Sequence, residues 1–206
     1  MFLQRVAMMF ALSALWFAAP TVMAETKAPD ALILQVSNDV INSIKADKSI
    51  QSGDLAKIIA LVDAKVMPYV NFQRMTASAV GRYWRQATPE QQKRLEEEFK
   101  ILLVRTYSGA LAQVSDQTVR LKPMRAQPDA AEVVVKTEVR GHGDPIQLDY
   151  RLEKTAEGWK IYDVNLLGVW LVENYRNSFA QEIGQNGIEG LIAKIAERNK
   201  TAAGRS

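Results

Sequence analysis

The chain of 206 residues has no cysteine and one histidine, His142. Without cysteine there is no disulfide, no thiolate metal site, no cysteine nucleophile and no lipid-modified N-terminal cysteine. With one histidine the commonest zinc constellations, which use two or more His or Cys ligands, cannot be assembled within one chain. No serine stands in a G-x-S-x-G elbow, and no nucleotide-binding glycine loop is present. The tight pair Gly141-His142-Gly143 precedes a strand pattern rather than a helix, so it reads as a hairpin turn with His142 at the surface. There is also little net charge. The formal value is +3, and the basic residues are scattered among acidic ones, which gives no argument for a nucleic-acid partner. Internal repeats, low-complexity tracts and long linkers are absent. Hydrophobic residues at 48% and charged residues at 24% describe an ordinary folded chain, neither disordered nor fibrous nor polytopic.

The one long hydrophobic run is N-terminal. Arg5 supplies a positive start, and Val6 to Ala19 is apolar except for Ser13. Pro20 breaks the run, and Val22-Met23-Ala24 offers small residues where a signal peptidase reads. The run is shorter than the roughly 20 residues of a membrane span. Residues 1–24 are therefore expected to be a cleaved secretory signal peptide, and the mature chain an exported one. No twin arginine is present, so export in an unfolded state is expected. Removal of Arg5 alone among the charged residues lowers the net charge from +3 to +2.

The remainder reads as helices, then strands, then helices. Pro29 fits a first helical position, with Ile33, Val36, Val40 and Ile44 following at helical spacing. Leu55, Ile58, Ile59, Val62 and Val66 mark a second helix ending near Pro68, and residues 71–85 a third. Thr88-Pro89-Glu90-Gln91 combines an N-cap, a first-turn proline and a glutamine three residues after the cap. A wide apolar stripe runs on from there: Leu95, Phe99, Leu102, Leu103, Tyr107, Leu111 and Val114. From Thr118 the period changes to two, through Val119 and Leu121, Val133 to Val139, Ile146 to Leu152 and Trp159 to Val164. Turn residues separate these runs, which predicts a four-stranded antiparallel meander. Leu167, Leu171, Tyr175, Phe179 and Ile183 then recur every four residues, and Asn186-Gly187 punctuates a last helical stretch. The expectation is an α+β fold, with helices on one side of the sheet enclosing an apolar pocket. One domain over 25–200 is expected, helical at 29–114, sheet at 117–165 and helical at 167–199, with a flexible tail at 201–206.

Two carboxylates deserve weighing. Asp149 alternates with the inward Leu148 and Tyr150 and is expected to face water. Asp163 lies in a strand among apolar residues, where burial would raise its pKa and suit it to act as a base. An enzyme on a cone-shaped α+β scaffold would use Asp163 in that way, with Tyr150 or Tyr162 as oxyanion donor. A second alternative is a chaperone or adaptor whose apolar surface meets protein. Periodicity cannot separate a filled core from a pocket.

Particular segments carry a resemblance. They are Tyr69-Val70-Asn71-Phe72, Gly81-Arg82-Tyr83-Trp84-Arg85-Gln86-Ala87-Thr88-Pro89-Glu90-Gln91 and Glu98-Phe99-Lys100-Ile101-Leu102-Leu103-Val104-Arg105-Thr106-Tyr107. Further along come Gly158-Trp159-Lys160-Ile161-Tyr162-Asp163-Val164, Gly168-Val169-Trp170-Leu171-Val172, Tyr175-Arg176-Asn177-Ser178-Phe179 and Gly187-Ile188-Glu189-Gly190-Leu191-Ile192. In order and spacing, across nearly all of the mature chain, these resemble the toluene-tolerance, or MlaC, family of periplasmic phospholipid carriers. The resemblance implies a periplasmic protein that holds one phospholipid with its tails inward. It implies two partners: an inner-membrane ABC transporter complex with MCE domains, and an outer-membrane lipoprotein–porin complex. It brings no catalytic residue, metal or cofactor other than the lipid cargo. The family's pocket is not carried over residue by residue. From apolar face and aromatic content, the lining is expected to comprise Phe99, Leu103, Tyr107, Leu111, Val133, Val135, Ile146, Leu148, Tyr150, Val164, Leu166, Val169, Leu171, Tyr175 and Phe179. Arg82 and Arg85, near Lys93 and Arg94, are expected to guide docking to acidic partner surfaces, and the protein to act as a monomer.

Overall fold

The computed structural model describes residues 27–124, 129–141 and 143–203. The expected signal peptide and His142 lie outside the described residues. Among the described residues six helices and one sheet follow the expected order of helices, strands and helices, with a short helix at Lys48–Gln51 added. Helix α1, Pro29–Ala46, starts on its proline and buries Leu32, Ile33, Val36, Ile41 and Ile44. A short α2, Lys48–Gln51, is capped by the Asp47 side chain, and α3, Leu55–Lys65, by that of Asp54. A 3-10 turn at Met67–Tyr69 leads to α4, Phe72–Val80, whose cap Asn71 accepts from the Arg74 amide at 2.9 Å. Gly81, at φ 66°, ends α4, since a left-handed backbone suits glycine. A second 3-10 turn, Gly81–Gln86, follows. Helix α5, Pro89–Ala112, opens on the expected capping box: Gln91 N–H donates to Thr88 Oγ1 at 3.2 Å, and Thr88 N–H donates to Gln91 Oε1 at 2.9 Å.

The sheet has five strands, not four, in the order β1-β2-β3-β4-β5 and antiparallel throughout. They are β1 Thr118–Leu121, β2 Glu132–Arg140, β3 Ile146–Thr155, β4 Gly158–Leu166 and β5 Val169–Trp170. The fifth was missed because two residues offer no alternation to read. It turns back through Leu167-Gly168, where Leu167 sits at φ 53° and the Asn165 side chain accepts from the Gly168 amide at 2.9 Å. Helix α6 runs Leu171–Ala203 with non-helical backbone at Gly187, the Asn-Gly break seen in the sequence. It carries regular structure beyond residue 200, where a tail was expected.

Register decides which side chains share a face. Val133 opposes Leu152, Val135 opposes Tyr150, and Thr137 opposes Leu148. Between β3 and β4 the pairing slips. Arg151 opposes Asp163 and Leu152 opposes Ile161, which leaves Tyr162 as the extra residue of a bulge. Ile161 and Val164 therefore join the same inner face although they are three apart. Helix α1 lies along β1 and β2, α4 and α6 meet β4, and α5 packs on α3, α4 and α6.

Candidate functional site

Two regions of the interior differ in how far they are sealed. The first half of α5 packs with α4 and α6 around Phe99, which is 0% exposed. Its ring stands edge-on to Tyr175 and Phe179, with centroids at 5.0 and 5.2 Å. Leu95, Leu102, Ile183, Leu191 and Ile192 complete this knot. A separate cluster joins Leu32, Ile33 and Val36 of α1 to Val133, Val135, Leu152 and Ile161 of the sheet. The later α5 residues Leu103, Tyr107 and Leu111 are only half-buried, Leu111 at the edge of a third cluster of Ile44, Ile50, Ile58, Leu61 and Val104. So are Leu148, Tyr150, Val164 and Leu166 on the inner sheet face.

The expected lining residues accordingly fall into three sets. Phe99, Tyr175 and Phe179 are sealed in helical packing, Leu171 is buried at the start of α6, and Val133 and Val135 are packed against α1. Leu103, Tyr107, Leu111, Leu148, Tyr150, Val164 and Leu166 keep accessible apolar surface. Ile146 and Val169 are exposed, at 41% and 51%, and do not face an interior. They stand at the end of the sheet beside Leu167, whose amide donates to the Gln147 carbonyl at 3.2 Å. Burial pushes the Tyr150 phenol up from its ordinary value, against hydrogen bonds with Ser37 and Thr137. Burial, then the neighbouring Tyr175, pushes Tyr107 up as well. Ser37 and Thr137 were missed. Thr137 was read only as one more alternating strand residue, and nothing in the sequence pairs α1 with it.

The alternative proton-transfer site is not assembled. Asp163 is 1% exposed, and its carboxylate is committed to structural donors. It accepts from the Val164 and Val172 amides at 2.9 and 3.1 Å and from Arg151 Nη1 at 3.1 Å. The Val172 bond places it at the N-terminus of α6, where a carboxylate suits the helix dipole. Arg151 in turn lies 3.9 Å from the Trp170 ring centre. Burial raises the Asp163 carboxyl above its ordinary value despite these donors. Tyr150 opens onto the other face of the sheet, and the Tyr162 hydroxyl donates to Glu132 at 2.8 Å. Asp149 does not face water as expected. It is 6% exposed and accepts from Gln147 Nε2 at 3.1 Å, in the same outer-face belt as Arg151, Asp163 and Asn165. Period-two reasoning placed it on the correct face but took that face to be solvated.

Arg82 and Arg85 are exposed on the 3-10 turn after α4. Arg94 is not free for docking in the same way, because it pairs with Glu189 of α6 at 2.9 Å. Two open clefts flank that turn. One, of about 460 Å³, is lined by residues including Tyr83, Gln86, Ile183 and Ile188, and the other, of about 650 Å³, includes Arg82, Arg85 and Arg176. Among the described residues no group of three or more His, Cys, Asp or Glu is placed to hold a metal, and no helix is long and apolar enough to cross a membrane.

These features define an α+β protein whose inner sheet face and second α5 half keep accessible apolar surface beside a sealed helical knot. The pattern of the MlaC protein family matches residues 34–197, and the chain belongs to that family. It is 46% identical to the phospholipid-binding protein from Ralstonia solanacearum, solved in complex with a phospholipid. That likeness has a TM-score of 0.84 and covers 86% of this chain and 99% of the other. It is 25% identical to the toluene tolerance protein ttg2D of Pseudomonas putida, over 90% of this chain and 89% of that one. It is also 25% identical to the intermembrane phospholipid transport system binding protein MlaC of Haemophilus influenzae, over 86% and 84% of the two chains.

Proposed function

We propose that this chain is a periplasmic phospholipid carrier. It takes lipid between an outer-membrane lipoprotein–porin complex and an inner-membrane ABC transporter complex with MCE domains, and so sustains outer-membrane lipid asymmetry. The observation that carries this reading is the 46% identity, over 99% of its length, to a chain that was solved holding a phospholipid. In this reading the acyl tails lie against Leu103, Tyr107 and Leu111 on one side and Leu148, Tyr150, Val164 and Leu166 on the other. No covalent step is involved, and the carrier acts as a monomer after residues 1–24 are removed.

The energetics suit a shuttle. Burying a methylene is worth about 0.8 kcal/mol, so two long acyl chains gain on the order of 20 kcal/mol against water. A lipid in a bilayer is already dry, so exchange between bilayer and carrier is near neutral. Retention in water and easy exchange at a membrane then coexist. Direction comes from the partner complexes. The headgroup, costly to bury without partners, stays at the mouth in water. Organic extraction and mass spectrometry of protein purified from bacteria test the reading. About one phospholipid per chain is expected. A well-folded, lipid-free protein that takes up none from vesicles, or that instead binds unfolded outer-membrane proteins, overturns it.

A further inference from the structure

We infer that the cleft between the Gly81–Gln86 turn and the first half of α6 is a docking site for an acidic segment of a partner protein. The inference rests on the carrier reading only for the expectation that such partners exist. Its rim holds Arg82 and Arg85 from the turn and Arg176 from α6, all exposed. Sequence reasoning singled out the first two, and the fold adds the third from 91 positions further along the chain. Arg176 is held in place by Nε, which donates to the Ser78 carbonyl at 3.1 Å, in the last turn of α4. Arg82 Nη2 donates to the Tyr83 hydroxyl at 2.9 Å. Elsewhere the guanidinium groups of Arg74, Arg94, Arg140 and Arg151 each meet a carboxylate, while Arg105, Arg120 and Arg198 are without an ion pair among the described residues but are not gathered on one cleft. Among the described residues no ion pair involves Arg82, Arg85 or Arg176. Three permanent charges therefore converge on one cleft without a counter-charge.

The shape selects the occupant. Between the three arginines the open cleft is lined by Ala77, Ser78, Gly81, Asn177 and Ala180 over the buried Val80, with Tyr83 as a wall shared with the neighbouring cleft. A bilayer presents a plane of headgroups, which meets the guanidinium groups but offers no apolar side chain to the alanines between them. A peptide segment can place an apolar side chain against Ala77 and Ala180 and carboxylates on either side, to which the planar guanidinium forks donate two-pronged. Such a site adds on-rate and orientation more than affinity, which is what a carrier that must leave again requires.

The test uses the full mature chain and amide NMR shifts. Three probes are titrated: a synthetic peptide of alternating Glu and Leu, its counterpart with Gln in place of Glu, and vesicles of phosphatidylglycerol with phosphatidylethanolamine. The Glu peptide is expected to shift residues 77–85 and 176–180, to weaken in high salt and to lose at least roughly tenfold in affinity in the triple variant Arg82→Glu, Arg85→Glu, Arg176→Glu. Bound lipid should be unchanged in that variant, and the thermal transition lowered only by the loss of the exposed Arg176–Ser78 and Arg82–Tyr83 hydrogen bonds. If it fails to fold, the triple Gln variant replaces it. Peptide shifts that fall elsewhere or survive the triple substitution overturn the site, as does a Gln peptide that binds as well as the Glu peptide, or vesicles that shift the same residues and cease to do so in the triple variant. If extraction finds no phospholipid the carrier reading fails while the titration keeps its own result. If lipid is present and the peptide ignores the cleft, only the docking site falls.

Discussion

Phe99 and Tyr107 lie eight residues apart on α5, about two turns, yet one is sealed and the other half-open. Phe99 meets α4 and α6, whose side chains come from a left-handed stop at Gly81 and a kink at Gly187 that fold two helices around one ring. Beyond that knot one side of the helix is sealed again, by Val104 against Ile44, Ile50, Ile58 and Leu61, but Leu103, Tyr107 and Leu111 keep accessible surface. The same amphipathic stripe thus serves stability at one end and, in the proposed reading, cargo at the other. Burial, not residue type, separates the two uses.

The largest expected effect breaks the sealed end. Phe99→Ala should cost about 3–5 kcal/mol, because a fully buried aromatic leaves a cavity that its neighbours cannot fill. Tyr107→Ala should cost less than about 2 kcal/mol, since much of its surface is already accessible. Urea denaturation of both variants checks the contrast, and equal losses would remove it. Asp163→Ala comes next, at about 3 kcal/mol. It deprives the Val172 amide of its acceptor and leaves the partly exposed Arg151 unpaired. Asp163→Asn should recover part of that loss, whereas a role as base would show no such graded stability effect. Thermal melts of the two variants separate the cases.

Leu103→Trp sharpens the comparison at the open end. In a filled core the extra bulk would cost about 1–3 kcal/mol. If the space holds lipid tails, the cost stays below about 1 kcal/mol and the lipid is lost instead, which extraction and mass spectrometry of the purified variant would reveal. The smallest effect lies at the sheet margin. Hydrogen bonds from Arg74 and then Tyr162 hold Glu132 below its ordinary value of 4.5. A carboxyl lowered in this way contributes stability above pH 4.5 that is lost as pH falls through its folded value. Glu132→Gln should flatten that acid decline by under about 1 kcal/mol, since the pair is solvent-screened. A pH series of denaturation midpoints for the two proteins reads it.

Much of the fold is legible without coordinates. The capping box at Thr88, the proline start at Pro29 and the Asn186-Gly187 break are local signals, set by backbone hydrogen bonds within a few residues. Strand limits from 132 to 166 follow from alternation and from the turn residues between the runs, which are also read locally. What escaped was non-local. The bulge at Tyr162 changes which face Ile161 shares with Leu152, a matter of register with β3 rather than of β4 itself. Asp149 and Asp163 were read for their neighbours in sequence, while their burial depends on Gln147, Arg151 and the start of α6. The lining was over-read, because an apolar stripe looks the same whether another helix covers it or nothing does.

The sequence by itself determined the order and type of the elements, the absence of thiol chemistry and the residues that carry the family likeness. These depend on local propensity, capping and composition, which the chain states directly. Only the tertiary structure decided that Phe99 is sealed and Tyr107 is not, that Asp163 caps a helix beside Arg151, and that Arg176 joins Arg82 and Arg85 on one cleft. Each of those facts depends on how close residues come that lie 9 or more positions apart. Burial and electrostatic pairing act through space, and no periodicity along the chain encodes which distant surfaces will meet.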